Sequence, residues 1–122
     1  MIEEYLQDLE KVLAQTHFAV DVQLAIDKRS LYIAFIEGTL AFFDGSNLHF
    51  MEFVNVKEGI NKYKYSYHYQ LNDSLIFRYD MAPHHKEVTT FPHHKHIADG
   101  QVVDTAAPSL FDVLEEIECI IL

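Results

Sequence analysis

Six of the chain's eight histidines and five of its seven tyrosines fall between Tyr63 and His96. Histidine is the side chain whose ordinary pKa lies nearest neutrality, so this density of imidazoles points to proton transfer, phosphate binding or metal ligation. They are grouped as Pro83-His84-His85 and Pro92-His93-His94-Lys95-His96, with His68 upstream. In an extended segment His94 and His96 project to the same side, and the stretch between the two prolines is long enough to return His84 or His85 to them. Two chemistries can be built from these parts. In one, an imidazole takes a proton, a second gives one, and Arg78 or Lys95 stabilises a phosphoryl oxygen. In the other, His84, His94 and His96 hold zinc or another transition metal and leave a position open for water. The spacing matches no standard metal motif, and histidines merely exposed on a surface would give the same composition.

Strand alternation decides which side chains cooperate. From Tyr63 to Leu71, Tyr63, Tyr65, Tyr67 and Tyr69 share one face, and Lys64, Ser66, His68 and Gln70 share the other. Asn72-Asp73 reads as a two-residue turn into a following strand, Ser74 to Met81. If that turn is a true two-residue loop, Tyr67 faces Arg78, Tyr65 faces Asp80 and His68 pairs with Phe77. That would gather Tyr65, Tyr67, Tyr69, Arg78 and Asp80 into one polar patch, whereas a loop one residue longer inverts it. The tyrosines would then offer rings on which splayed bases stack. Strand propensity alone also accounts for a tyrosine row, and Arg78 with Asp80 also reads as a structural ion pair.

The remaining elements frame this segment. Ile2, Tyr5, Leu6, Leu9, Val12 and Leu13 recur at helical spacing, and alternation of period two begins at Val20. A second strand runs from about Leu31 to Phe43, with Gly38 marking a break or bulge. Asp44-Gly45 predicts a hairpin into a third strand, and His93 to Ile97 a last short one. Leu110, Val113, Leu114, Ile117 and Ile121 return to helical spacing behind Ser109 and Asp112, which are placed as an N-cap and its third-position acid. No helical crossovers separate the strands, so the expected fold is α+β: an antiparallel meander of five to six strands with both helices on one face.

A chain of 122 residues, 49% hydrophobic, buries one core, so residues 1–122 are read as a single domain. The net charge of −10 is uneven: residues 57–96 carry six basic against four acidic side chains, leaving −12 elsewhere. An acidic body with one basic, histidine-rich face can present that face to an anion. The single cysteine, Cys119, allows no internal disulfide, and no signal segment or long apolar run is seen, so a soluble cytoplasmic protein without membrane contact is expected. Cys119-Ile120-Ile121-Leu122 fits a prenylation pattern, but helical periodicity runs through it and favours a buried or dimer-forming helix end. Together with the open edge of a meander, this predicts a homodimer.

Four blocks in order, Tyr67-His68-Tyr69-Gln70, Ile76-Phe77-Arg78-Tyr79-Asp80, Ala82-Pro83-His84-His85 and Thr90-Phe91-Pro92-His93-His94-Lys95-His96, resemble the signature of the TumE-like proteins, small toxins of prokaryotic toxin-antitoxin pairs. The resemblance implies a cytoplasmic, growth-inhibiting ribonuclease held in check by a DNA-binding antitoxin protein. The residues themselves fit metal-independent cleavage of RNA, with His94 and His96 favoured as acid and base, His68 and His85 next, and Arg78 and Asp80 completing the catalytic set. Tyr65, Tyr67, Tyr69 and Lys95 are the expected substrate-binding side chains. A histidine-ligated metal protein or metal-dependent enzyme is the main alternative, and a non-catalytic binding protein is a third.

Overall fold

The structure, a computed structural model, describes residues 1–81 and 91–122. Helix α1 (Ile2–Ala14) is followed by strands β1 (Ala19–Lys28), β2 (Ile33–Phe42), β3 (Asn47–Asn55), β4 (Asn61–Leu71), β5 (Ser74–Met81), β6 (His93–Ile97) and β7 (Val102–Val103), and then by helix α2 (Leu110–Ile121). All neighbouring strands pair antiparallel in sequence order, a meander of seven among the described residues. The expected count was five to six. The addition is β7, a two-residue strand opposite Lys95 and His96 that is too short to leave an alternation signal.

Alternate residues of the long strands point to the helices. Ala34, Ile36, Leu40 and Phe42 of β2 and Leu48, Phe50 and Val54 of β3 are buried there with Tyr65, Tyr67 and Tyr69 of β4 and Phe77 of β5. Ile2, Leu6, Leu9 and Leu13 of α1 and Leu110, Val113, Leu114 and Ile117 of α2 complete this core. Both helices therefore cover one face, as the sequence predicts. Helix α2 starts where Ser109 Oγ accepts from the Asp112 amide at 3.1 Å and the Asp112 carboxylate accepts from the Ser109 amide at 3.0 Å, the expected capping box.

Each helix is also tied to the sheet by a polar group on the core face. The Glu52 carboxyl is fully buried; the hydroxyls of Tyr5, on α1, and Tyr67 donate to its two oxygens. Lys62 Nζ lies 3.4 Å from the same carboxyl and donates to the Pro108 carbonyl, just before α2, at 2.8 Å. Burial foremost, and then the Glu52 charge and hydrogen bond, push the Tyr5 and Tyr67 hydroxyls upward in pKa, so both stay protonated donors. A carboxyl satisfied on both oxygens can be buried without the penalty of an unpaired polar group.

Two irregularities set which way β4 and its neighbours face. Asn72 and Asp73 both adopt positive φ, 50° and 63°, and form the expected two-residue turn, closed by Leu71 opposite Ser74. The ladder then slips: Gln70 pairs with Leu75 but Tyr69 pairs with Phe77, so Ile76 is an extra residue on β5. At the other end of β4, Phe53 pairs with Lys64 but Val54 with Lys62, which makes Tyr63 an extra residue there. Gly38, by contrast, interrupts nothing, because pairing with both neighbours runs straight through it. It is a glycine because the Phe50 ring lies over it, and a Cβ would sit 2.3 Å from that ring. Phe50 is fully buried and stacked on Tyr67, so it cannot yield. Gly38→Val is expected to cost about 1–3 kcal/mol through overpacking, read as a lower urea midpoint with an unchanged slope.

Candidate active site

Beyond the Ile76 bulge the pairs are His68 with Arg78 and Ser66 with Asp80, while Tyr67 faces Tyr79. The expected pairing of Tyr67 with Arg78 and Tyr65 with Asp80 is thus inverted, and the patch of tyrosines with Arg78 and Asp80 does not form. Arg78 pairs onward with His96, and Asp80 with His94. On the face away from the helices, two transverse rows result: His49, His68, Arg78 and His96 in one, Met51, Ser66, Asp80 and His94 in the next.

Asp80 is where these rows meet. Arg78 Nε donates to its Oδ2 at 3.1 Å, and its Oδ1 lies 3.3 Å from His96 Nε2 and 3.4 Å from His94 Nδ1. Arg78 Nη1 approaches His68 Nδ1 at 3.3 Å, and His68 Nε2 lies 3.0 Å from Gln70 Oε1. Arginine only donates, so Nδ1 of His68 is the acceptor and its Nε2 carries the proton toward Gln70. Burial alone would raise the Asp80 carboxyl, but the Arg78 hydrogen bond and the charges of His96 and Arg78 outweigh it and hold Asp80 below its ordinary range. His94 is fully buried, whereas the His96 side chain is 24% and that of Arg78 36% exposed.

The structure therefore brings together five of the expected site residues: His68, Arg78, Asp80, His94 and His96. His84 and His85 lie outside the described residues. The four expected substrate-binding side chains point the other way. Tyr65, Tyr67 and Tyr69 are buried under the helices, with hydroxyls on His93 Nδ1 (2.9 Å), Glu52 and Ser46 Oγ (2.8 Å) respectively. Lys95 donates to Glu116 of α2 at 2.8 Å over the Tyr79 ring. Although burial would lower its pKa, the Glu116 hydrogen bond keeps the Lys95 ammonium above its ordinary value. Sequence reading passed over His49 and Gln70, which reach this face from β3 and β4; the alternation of His49 with the apolar Leu48 and Phe50 was the available signal.

A cavity of about 400 Å³ lies instead on the helix side, lined by Lys62, Tyr65, His93, Pro108 and Asp112 among others. Its lysine is already engaged by Glu52, Tyr67 and the Pro108 carbonyl, which removes the cation an anionic ligand would need. Among the described residues no group of three or more His, Cys, Asp or Glu is arranged to hold a metal ion. No helix among them is long and apolar enough to cross a membrane.

Fold and site together define a small α+β protein whose meander carries acid–base side chains on one face and both helices on the other. The chain belongs to the family described as Toxin TumE, which it matches over residues 9–121. The family read from the four sequence blocks is thus its family. No curated protein and no solved structure matches the chain.

Because the Asp80 pKa is lowered in the folded state, its stabilising contribution is fully present above the ordinary carboxylate value, about 3.9, and is lost as pH falls through the lowered folded value. Asp80→Asn should lower stability at neutral pH and narrow its deficit against wild type through that acid window. Urea midpoints measured between neutral pH and pH 2 test this; a deficit that is the same at every pH contradicts it.

Proposed function

We propose that the protein is the toxin of a toxin-antitoxin pair and cleaves RNA through the cluster around Asp80. The observation that carries the reading is the row His68, Arg78 and His96 across three adjacent strands, with Asp80 bridging Arg78 and His96 from the neighbouring row. RNA brings its own nucleophile, the 2′-hydroxyl, so cleavage needs a base, an acid and a cation for the crowded phosphate. His96 has one ring nitrogen toward Asp80, and its other nitrogen takes the 2′-hydroxyl proton; Asp80 steadies the imidazolium that forms. Arg78, held by Asp80 and His68, grips the phosphoryl oxygens. As Arg78 Nη1 turns from His68 to the phosphate, His68 Nδ1 takes up a proton, and the imidazolium so formed gives its Nε2 proton to the leaving 5′-oxygen and returns to a neutral ring. His94, fully buried, fixes the Asp80 carboxylate instead of touching RNA.

In this reading no metal takes part, and an antitoxin encoded beside the toxin occupies part of the acidic surface. A net charge of −10 suits a basic partner. Self-association belongs to the same reading, because β1 is an edge strand with Val20 and Val22 exposed, and Ile120 and Leu122 are exposed as well.

Expression without the neighbouring gene should arrest growth and degrade cellular RNA. Arg78→Ala and His96→Ala should each reduce cleavage by about 10²–10⁴-fold and restore growth. Chelator should leave cleavage by the purified protein intact. Loss of cleavage in chelator would favour a site built on His84, His94 and His96; wild-type protein that neither slows growth nor cuts RNA would overturn the reading altogether.

A further inference from the structure

The second bulge has a chemical outcome of its own. As the extra residue of β4, Tyr63 emerges on the face away from the helices, where 47% of it is exposed. There its ring meets Phe53 edge to face at a centroid distance of 5.5 Å, and Phe53 meets its cross-strand partner Phe35 at 6.3 Å. Asn55 donates to the Tyr63 hydroxyl at 2.6 Å and fixes its direction. Arg29 lies over Phe53, its Cζ 5.9 Å from the ring centre, and donates to Asp27 at 2.7 Å. Lys64, opposite Phe53, is exposed. These three linked rings stand outside the hydrophobic core.

We infer that Phe35, Phe53 and Tyr63 form a stacking platform for the unpaired bases of a single-stranded nucleic acid. Three features select this ligand. The rings offer planar apolar contact that every base can use, and bases show their faces only when unpaired. Lys64, exposed beside the rings, supplies positive charge for a phosphate, while Arg29, its charge met by Asp27, adds a further planar group over Phe53. The platform also shares its face and its strand with the Asp80 cluster: Lys64 stands four residues before His68 on β4, about 14 Å at a strand's rise. A strand laid along β3 and β4 would place bases on the rings and a phosphate beside Arg78. Its being RNA and not DNA rests on the cleavage reading above; the stacking does not.

The test uses a fluorescently labelled, fully 2′-O-methylated oligoribonucleotide, which has no free 2′-hydroxyl and is not cleaved. Anisotropy should show wild-type protein binding it as a single strand and failing to bind it as a duplex. Tyr63→Ala should weaken that binding roughly five- to hundred-fold, the loss of one base stack. Phe53→Leu, which keeps an apolar side chain in place, should weaken it similarly. Unaltered urea midpoints establish that the variants are folded, and Tyr63→Ala alone decides the matter if Phe53→Leu is unstable. No binding by wild type, or equal binding by wild type and both variants, overturns the platform. It is likewise overturned if the variants keep the oligonucleotide but lose the protein encoded by the adjacent gene, which would make the rings a protein-docking surface. Cleavage is scored separately on unmodified RNA: binding without cleavage keeps the platform and removes the ribonuclease reading, and cleavage with equal binding does the reverse.

Discussion

One inserted residue, Ile76, decides the character of both faces of the sheet. Side chains alternate with period two, so an extra residue on one strand inverts every pairing beyond it. Without the slip, Arg78 and Asp80 would lie opposite Tyr67 and Tyr65, beneath the helices, where an imperfectly paired charge is heavily penalised. With it, Phe77 and Tyr79 turn inward to Tyr69 and Tyr67, and the guanidinium and carboxylate meet the imidazoles of β4 and β6. Tyr63 performs the reciprocal operation at the far end of β4. It carries its own ring outward and turns Lys62 inward, where the ammonium reaches Glu52. The two bulges thereby sort charge by face: Lys62 and Glu52 brace the helices, while Arg78 and Asp80 organise histidines on the other side.

This division explains why residues of one type do unlike work within a single strand. Tyr65, Tyr67 and Tyr69 are core residues that also satisfy buried hydrogen-bonding groups, whereas Tyr63, two positions earlier, is a surface ring. Histidines divide likewise. His93 stacks on Tyr65 under the helix side, and burial first, with His94's charge second, lowers its pKa; His94 and His96 on either side of Lys95 turn to Asp80. Proximity in sequence therefore misleads here, and register is the informative quantity.

Much of the fold was legible because its signals are local. The Ser109 and Asp112 capping box, the Asn72-Asp73 turn and the approximate spans of β2 to β5 each depend on a few neighbouring residues, and each is found where it was read. His68, Arg78, Asp80, His94 and His96 were also legible as candidate residues by type. Their arrangement was misread: Arg78 and Asp80 were set among the tyrosines and His68 opposite Phe77, because Leu75-Ile76-Phe77 is apolar throughout and nothing in it marks which residue is extra. The same silence surrounds Tyr63, flanked by two lysines of which only one turns inward. Gly38 was read as a break when it is a gap filled by a ring from the next strand, a long-range fact that local reading does not contain.

The central claim is that this face cleaves RNA with the RNA's own 2′-hydroxyl as nucleophile, and the ends of the product test it most directly. Attack of that oxygen on the adjacent phosphorus expels the 5′-oxygen, so each cut leaves a 2′,3′-cyclic phosphate on one fragment and a 5′-hydroxyl on the other. Mass spectrometry of a short RNA cleaved by the purified protein in chelator should find these termini, and a substrate with a single 2′-deoxy residue at the cut site should survive intact. Fragments ending in a 3′-hydroxyl with a 5′-phosphate, or cleavage of the 2′-deoxy substrate, would contradict the account.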